Sequence, residues 1–184
     1  MTEHAMVIRG GRVIDPAQGL DAVTDVAVQD GRVTAVGSGL RGLVTLDAAG
    51  CVVAPGFVDL HSHAQSVGGH RLQAFDGVTT TLELEAGAVP VAAAYAQAAV
   101  EGRPLNYGYS VSWAAARIVV LTGHRGDGGA TTMLSRFADP GWQREASAAE
   151  EDRILGLLED ELGVGGLGIG VLIGYAPGTS PAEY

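Results

Sequence analysis

Lysine is absent from the 184 residues, so all eleven basic charges are arginine. A mechanism that requires a lysine amine must find it outside this sequence. Cysteine occurs once, at Cys51, which excludes an internal disulfide. Set between Gly50 and the apolar pair Val52-Val53, it is expected to be a small buried packing residue. No apolar run approaches the ~20 residues needed to cross a bilayer. Met1-Thr2-Glu3-His4 also lacks the basic-then-apolar order of a secretory signal, so the expected location is cytoplasmic and no membrane partner is expected. Clusters of positive charge are missing too. With a formal charge of -10 and scattered arginines, nucleic acid is excluded as a partner. Aromatic residues make up only 5%, but hydrophobic residues reach 47%, enough for a folded core and too many for a disordered chain.

What is present falls into two parts. The first fifty residues read as short strands joined by tight turns, with Met6-Val7-Ile8, Arg12-Val13-Ile14, Asp25-Val26-Ala27-Val28 and Arg32-Val33-Thr34-Ala35-Val36 as the apolar pieces. Asp30-Gly31 between the last two is a strong hairpin signal, because both turn positions need positive φ. From about Cys51 strands alternate with helices, the order that builds a parallel sheet. Strands are expected at 52–63, 78–84, 106–111 and 166–174. Helices are expected at 91–100, where Pro90 stands near the first turn, at 112–121 and at 148–162. The last opens on Ser147-Ala148-Ala149-Glu150, which has capping-box spacing, and carries the stripe Ile154, Leu155, Leu157, Leu158 and Leu162. The polar, glycine-rich stretch 123–141 is expected to be a loop or lid.

Along an extended strand side chains alternate, so Asp59, His61 and His63 point to one face and both imidazoles can reach one metal ion. Two histidines two residues apart also occur by chance, and context decides. In the next strand Glu83 and Glu85 share a face. Carboxylates inside an apolar strand are costly to bury unless a cation or hydrogen bonds compensate them, which makes a metal a natural partner. The alternative is a strand end protruding into solvent. Gly163-Val164-Gly165-Gly166-Leu167-Gly168 satisfies a dinucleotide-binding spacing, but it follows a helix and opens a strand, the reverse of what that fingerprint requires.

The run Ala54-Pro55-Gly56-Phe57-Val58-Asp59-Leu60-His61-Ser62-His63, preceded by Asp30-Gly31-Arg32-Val33-Thr34-Ala35-Val36-Gly37 and followed by Gly77-Val78-Thr79-Thr80, resembles the amidohydrolase superfamily. The resemblance covers roughly residues 5 to 110. It implies an α/β fold, with a small β-sandwich segment over 1–54 and, over 55–184, the first half of a metal-dependent (β/α)₈ TIM-type barrel. A closed barrel needs about 250 residues, so this chain is expected to be the N-terminal part of a larger protein. By the same resemblance His61 and His63 are metal ligands and Asp59 orients them from behind. Many relatives bridge two metals with a carboxylated lysine. D-aminoacylase-like members use a cysteine in a Gly-Asn-Cys-Gly turn after the second strand. Here that region reads Leu84-Glu85-Ala86-Gly87, so Glu85, with Glu83 as the alternative, is expected to supply the missing carboxylate.

Gln65 and Arg71 follow the ligand strand on the catalytic end of such barrels and are candidate substrate contacts, Arg71 as a bidentate partner for a carboxylate. A surface salt bridge is the plainer expectation for Arg71, and His4 and His124 are expected to be solvated. The implied cofactor is zinc, one or two ions, which lowers the pKa of a bound water to near 7 so that hydroxide attacks a polarised carbonyl. The general base and the remaining ligands are expected beyond residue 184. The sequence looks most like the N-acyl-D-amino-acid deacylases, with a small-molecule N-acyl amino acid as substrate, and is compatible with a homo-oligomer. A dihydroorotase- or hydantoinase-like cyclic amidohydrolase and a non-catalytic homologue are the alternatives.

Overall fold

A computed structural model describes residues 3–124 and 135–183, which fall into two compact units, Met1–Gly56 and Phe57–Tyr184. The first is a single five-stranded sheet. Its strands are β1 (Glu3–Asp15), β2 (Leu20–Gln29), β3 (Arg32–Gly37), β4 (Arg41–Asp47) and β5 (Val52–Val53), in the order β3-β2-β1-β4 with β5 also on β1. The Asp30-Gly31 hairpin has positive φ at both residues, 52° and 72°, and joins β2 to β3 with Gln29 opposite Arg32. The expected pieces at Met6 and Arg12 are one strand, bent by a bulge between Ile8 and Gly11. The buried Asp25 carboxylate accepts from the Gly10 N–H at the bulge and from the Leu40 N–H, which satisfies two main-chain donors that no strand partner reaches.

Cys51 corrects its expectation, because the residue is exposed. Its backbone is what the fold uses: the Cys51 N–H donates to the Ala48 carbonyl and its own carbonyl accepts from the Arg12 N–H, each at 2.9 Å. The small residue buried at this turn is Ala48. The expected strand at 52–63 is likewise two short strands in different sheets. Pro55, which has no N–H, and Gly56 end the pairing of β5, and β6 (Phe57–Asp59) belongs to the second unit.

That unit is an open parallel sheet in the order β6-β7-β8-β9, with β7 (Val78–Ala88), β8 (Asn106–Ser112) and β9 (Ile169–Gly170). Helices α1 (Val67–Phe75), α2 (Val91–Glu101) and α3 (Trp113–Thr122) follow the first three strands, and α4 (Ala148–Gly163) precedes β9. Helix α1 is absent from the sequence-based expectations, since Gly68-Gly69 in its first turn disguise it. It starts on Ser66, whose hydroxyl accepts from the Gly69 N–H at 3.0 Å. Helix α2 lacks such a side chain at Pro90, and the Glu161 carboxylate of α4 instead accepts from the Val91 N–H at 2.7 Å. The capping box of α4 forms, with Glu150 accepting from the Ser147 N–H at 2.9 Å.

The core of this unit gathers Val111, Trp113, Ala114 and Ile118 against Trp142, Ile154 and Leu158. In the stretch 123–141, residues 125–134 lie outside the described part. Its end is not a loose loop: Asp139 caps a short 3₁₀ turn, Pro140–Trp142, that buries Trp142 completely. Among the described residues no helix is long and apolar enough to cross a membrane.

The strand expected at 166–174 shrinks to Ile169–Gly170 and gives way to a 3₁₀ turn at Ile173–Tyr175. Gly165 and Gly168 take φ of 118° and 148°, which a regular strand does not use. Gly170 itself is fixed by close approach. A Cβ there would lie 2.2 Å from the Glu85 carbonyl oxygen and 2.8 Å from that of Leu84, both main chain. Gly170→Ala is therefore expected to lower unfolding free energy by about 1–3 kcal/mol, as overpacking does. Urea denaturation of variant and parent measures it, and an unchanged midpoint would show that β9 simply moves away.

Candidate metal centre

β6 ends at Asp59, and the chain beyond it crosses the middle of β7 through a bridge between His61 and Glu83 and a 3.1 Å bond from the Ser62 N–H to the Leu82 carbonyl. This places the two histidines over the two glutamates of β7. His61 Nε2 lies 2.7 Å and His63 Nε2 3.1 Å from Glu85 Oε2. One ligand atom from each of His61, His63 and Glu85 falls within 4.8 Å of the other two. The imidazole centroids are 5.1 Å apart and nearly perpendicular.

Glu83 is held differently. It is only 2% exposed, and its Oε2 meets His63 Nδ1 at 2.6 Å while Oε1 accepts from the Ala86 N–H at 3.0 Å. Both oxygens of this buried carboxylate thus have donors, the condition for burying such a group. The Glu83 hydrogen bond, ahead of the carboxylate charges, raises the His63 pKa above the ordinary histidine value against the opposing effect of partial burial.

The donor set suits a borderline-soft divalent cation such as zinc. With ligand bonds of about 2.0–2.1 Å, tetrahedral donors stand about 3.3 Å apart, close to the 2.7 and 3.1 Å separations at Glu85. A proton on His63 Nδ1, directed to Glu83, leaves Nε2 as the free donor, the arrangement in which an outer carboxylate fixes the tautomer of a ligating histidine. Both imidazoles remain more than half exposed, so one side of the cluster is open.

Around this cluster, Asp59 accepts from the His61 N–H through Oδ1 at 3.1 Å and from Gln73 Nε2 through Oδ2 at 3.1 Å. Gln65 turns inward: its amide donates to the Ser62 carbonyl at 3.1 Å and to Thr81 Oγ1 at 3.4 Å, and its Oε1 faces His70 Nε2 at 3.5 Å. Arg71 is exposed on α1 and makes no ion pair among the described residues, so the expected surface salt bridge does not form there. Gln73, Ser62 and Thr81 escaped sequence reasoning. Gln73 had no signal without α1, whereas the polar Ser62 between two candidate ligands was a hint.

The model for the amidohydrolase family matches residues 44–171. Among solved structures, an N-acyl-D-glutamate deacylase from Bordetella bronchiseptica, crystallised with zinc and a phosphonate inhibitor, superposes with a TM-score of 0.76 over 99% of this chain and 41% of its own, at 23% identity. A D-aminoacylase superposes at 0.73 over 98% of this chain and 41% of its own, at 25% identity. Dihydroorotases match a shorter stretch. That of Geobacter metallireducens is 46% identical over 66 residues, 34% of this chain and 16% of its own, and that of Streptococcus pneumoniae 49% over 65 residues, 34% and 15%. The chain therefore spans about two fifths of the deacylase structures and about a sixth of the dihydroorotases.

Proposed function

Because the chain belongs to the amidohydrolase family, we propose that it forms the metal-bearing portion of a hydrolase acting on non-peptide carbon–nitrogen bonds, with N-acyl-D-amino acids as substrates. The observation that carries this is the cluster of His61 and His63, just beyond β6, with Glu85 of the adjacent β7, in a chain of which nearly the whole length follows the deacylase fold. His61 and His63 would hold zinc, one ion or two, through Nε2, and Glu85 through Oε2. When bound, the cation supplies Lewis acidity toward the scissile carbonyl and acidifies a water to a pKa near 7. Glu83 keeps the His63 proton on Nδ1, and Asp59 holds the His61 main chain in place. Arg71, exposed and without an ion pair among the described residues, is available to a substrate carboxylate, whereas the Gln65 amide is committed to Ser62 and Thr81.

A second reading, a cyclic amidohydrolase of the dihydroorotase or hydantoinase kind, is favoured by the 46–49% identity to dihydroorotases over about a third of the chain. The complete protein separates the two. Release of free amino acid from N-acetyl-D-amino acids, abolished by 1,10-phenanthroline and restored by zinc, is the expected result. Ring opening of dihydroorotate or hydantoin with no deacylation would transfer the function to the second reading. Neither activity in a metal-free protein would make it a non-catalytic homologue.

A further inference from the structure

The segment that carries the two histidines is poorly served by strand pairing. The regular register of β6 on β7 stops at Asp59, and beyond it the main-chain pairing with β7 among the described residues reduces to the His61–Glu83 bridge and the bond from the Ser62 N–H. Yet two imidazoles that share one ion must be held to within a fraction of an ångström. One side chain of α1 gathers this segment. The Gln73 amide donates from a single nitrogen to Asp59 Oδ2 at 3.1 Å and to Ser62 Oγ at 2.8 Å. Asp59 in turn accepts from the His61 N–H through its other oxygen, and Ser62 Oγ accepts from the Ala64 N–H at 3.3 Å. The bonds radiating from Gln73 therefore fix the main chain just before His61, between the two histidines, and just after His63.

The orientation of the amide follows from charge. Its NH₂ end has to face the Asp59 carboxylate, since turning it over would set two acceptors against each other. The consequence is that Gln73 Oε1 is buried without a protein partner. A buried acceptor left in that state is unfavourable, and it persists here because the donor end is required. We propose that Gln73 is a positioning residue for metal binding, acting through Asp59 and Ser62 on the backbone of His61 and His63. This inference rests on the assignment of those histidines as metal ligands.

The test uses the complete protein, stripped of metal and titrated with zinc against a chromogenic chelator and with cobalt(II) followed by its visible absorption. Gln73→Glu keeps the shape and replaces the donor with an acceptor beside Asp59, and Gln73→Leu removes both ends. The expected result is a loss of about 10- to 100-fold in zinc affinity for both variants, the range typical of outer partners of metal ligands. The cobalt spectrum should also be altered, while the metal-free melting temperature stays at the parental value. Parental affinity and spectrum in whichever variant folds would overturn the inference and leave the metal assignment standing. An affinity loss that tracks a lower metal-free melting temperature with an unchanged cobalt spectrum would also overturn it, as a merely structural role. A parent protein that binds neither zinc nor cobalt would overturn the metal assignment itself.

Discussion

Glu85→Gln is expected to leave the complete protein unable to retain zinc through dialysis, whereas Glu83→Gln weakens binding only by the 10- to 100-fold usual for an outer partner. The two glutamates share a strand face, but their surroundings assign them different work. Glu85 presents one oxygen to the Nε2 atoms of both histidines, at 2.7 and 3.1 Å, and is partly exposed. Its neutral amide analogue removes the one charged donor of the set. Glu83 is buried with both oxygens already occupied, by His63 Nδ1 and the Ala86 N–H. Glutamine there can still accept from one of the two, so the histidine tilts but remains. Zinc content by atomic absorption, followed by chelator competition for any variant that retains metal, ranks the two. The reverse order would make Glu83 the ligand and Glu85 a solvent-facing neighbour.

The second large effect lies away from the metal. Arg117→Leu is expected to cost about 3–5 kcal/mol of unfolding free energy, the range for breaking a buried ion pair by removing one partner. Arg117 is completely buried in α3, over the ring of Trp113 with its guanidinium carbon 5.3 Å from the centroid. Its guanidinium pairs with Glu183 and also donates to the carbonyls of Trp142, at 3.1 Å, and Arg144. Truncation leaves the Glu183 charge and two carbonyls without these donors in the same region. The loss lowers the melting temperature in proportion. Scanning calorimetry reads it directly. The double variant Arg117→Leu/Glu183→Leu should recover part of the loss, because the stranded charge goes with its partner. A single variant that melts at the parental temperature would show that the pair contributes nothing net.

How far the sequence reached depended on whether a residue's role was local. Glu83 and Glu85 share a face of β7 by strand alternation, whereas His61 and His63, paired by the same reasoning, lie beyond the end of β6 and come together through the chain that crosses β7; the membership of the cluster was legible from the sequence, its backbone was not. The same alternation could not separate Glu83 from Glu85, because their parity is identical. The distinction arises where β7 leaves its regular register with β8, between Glu83 and Ala88, and the Ala86 N–H turns to Glu83. Helix α1 was illegible because Gly68-Gly69 oppose helix by propensity, and the support for its first turn comes from the Ser66 cap. The apolar neighbours of Cys51 suggested burial, whereas the turn around it required only its main chain. Arg117 lies in an apolar run, and its partner Glu183 is 66 positions away, beyond the reach of any local pattern.

The aromatic residues are unevenly divided between the units. Residues 1–56 contain no tryptophan, tyrosine or phenylalanine, and both tryptophans, Trp113 and Trp142, are buried in the core of the second unit and contact Arg117. The first unit is therefore optically silent, and intrinsic fluorescence reports on the second alone. The lone thiol of Cys51, exposed at a turn of the silent unit, offers a single point for a dye. Within these 184 residues, tryptophan emission and a label on Cys51 therefore report on different units.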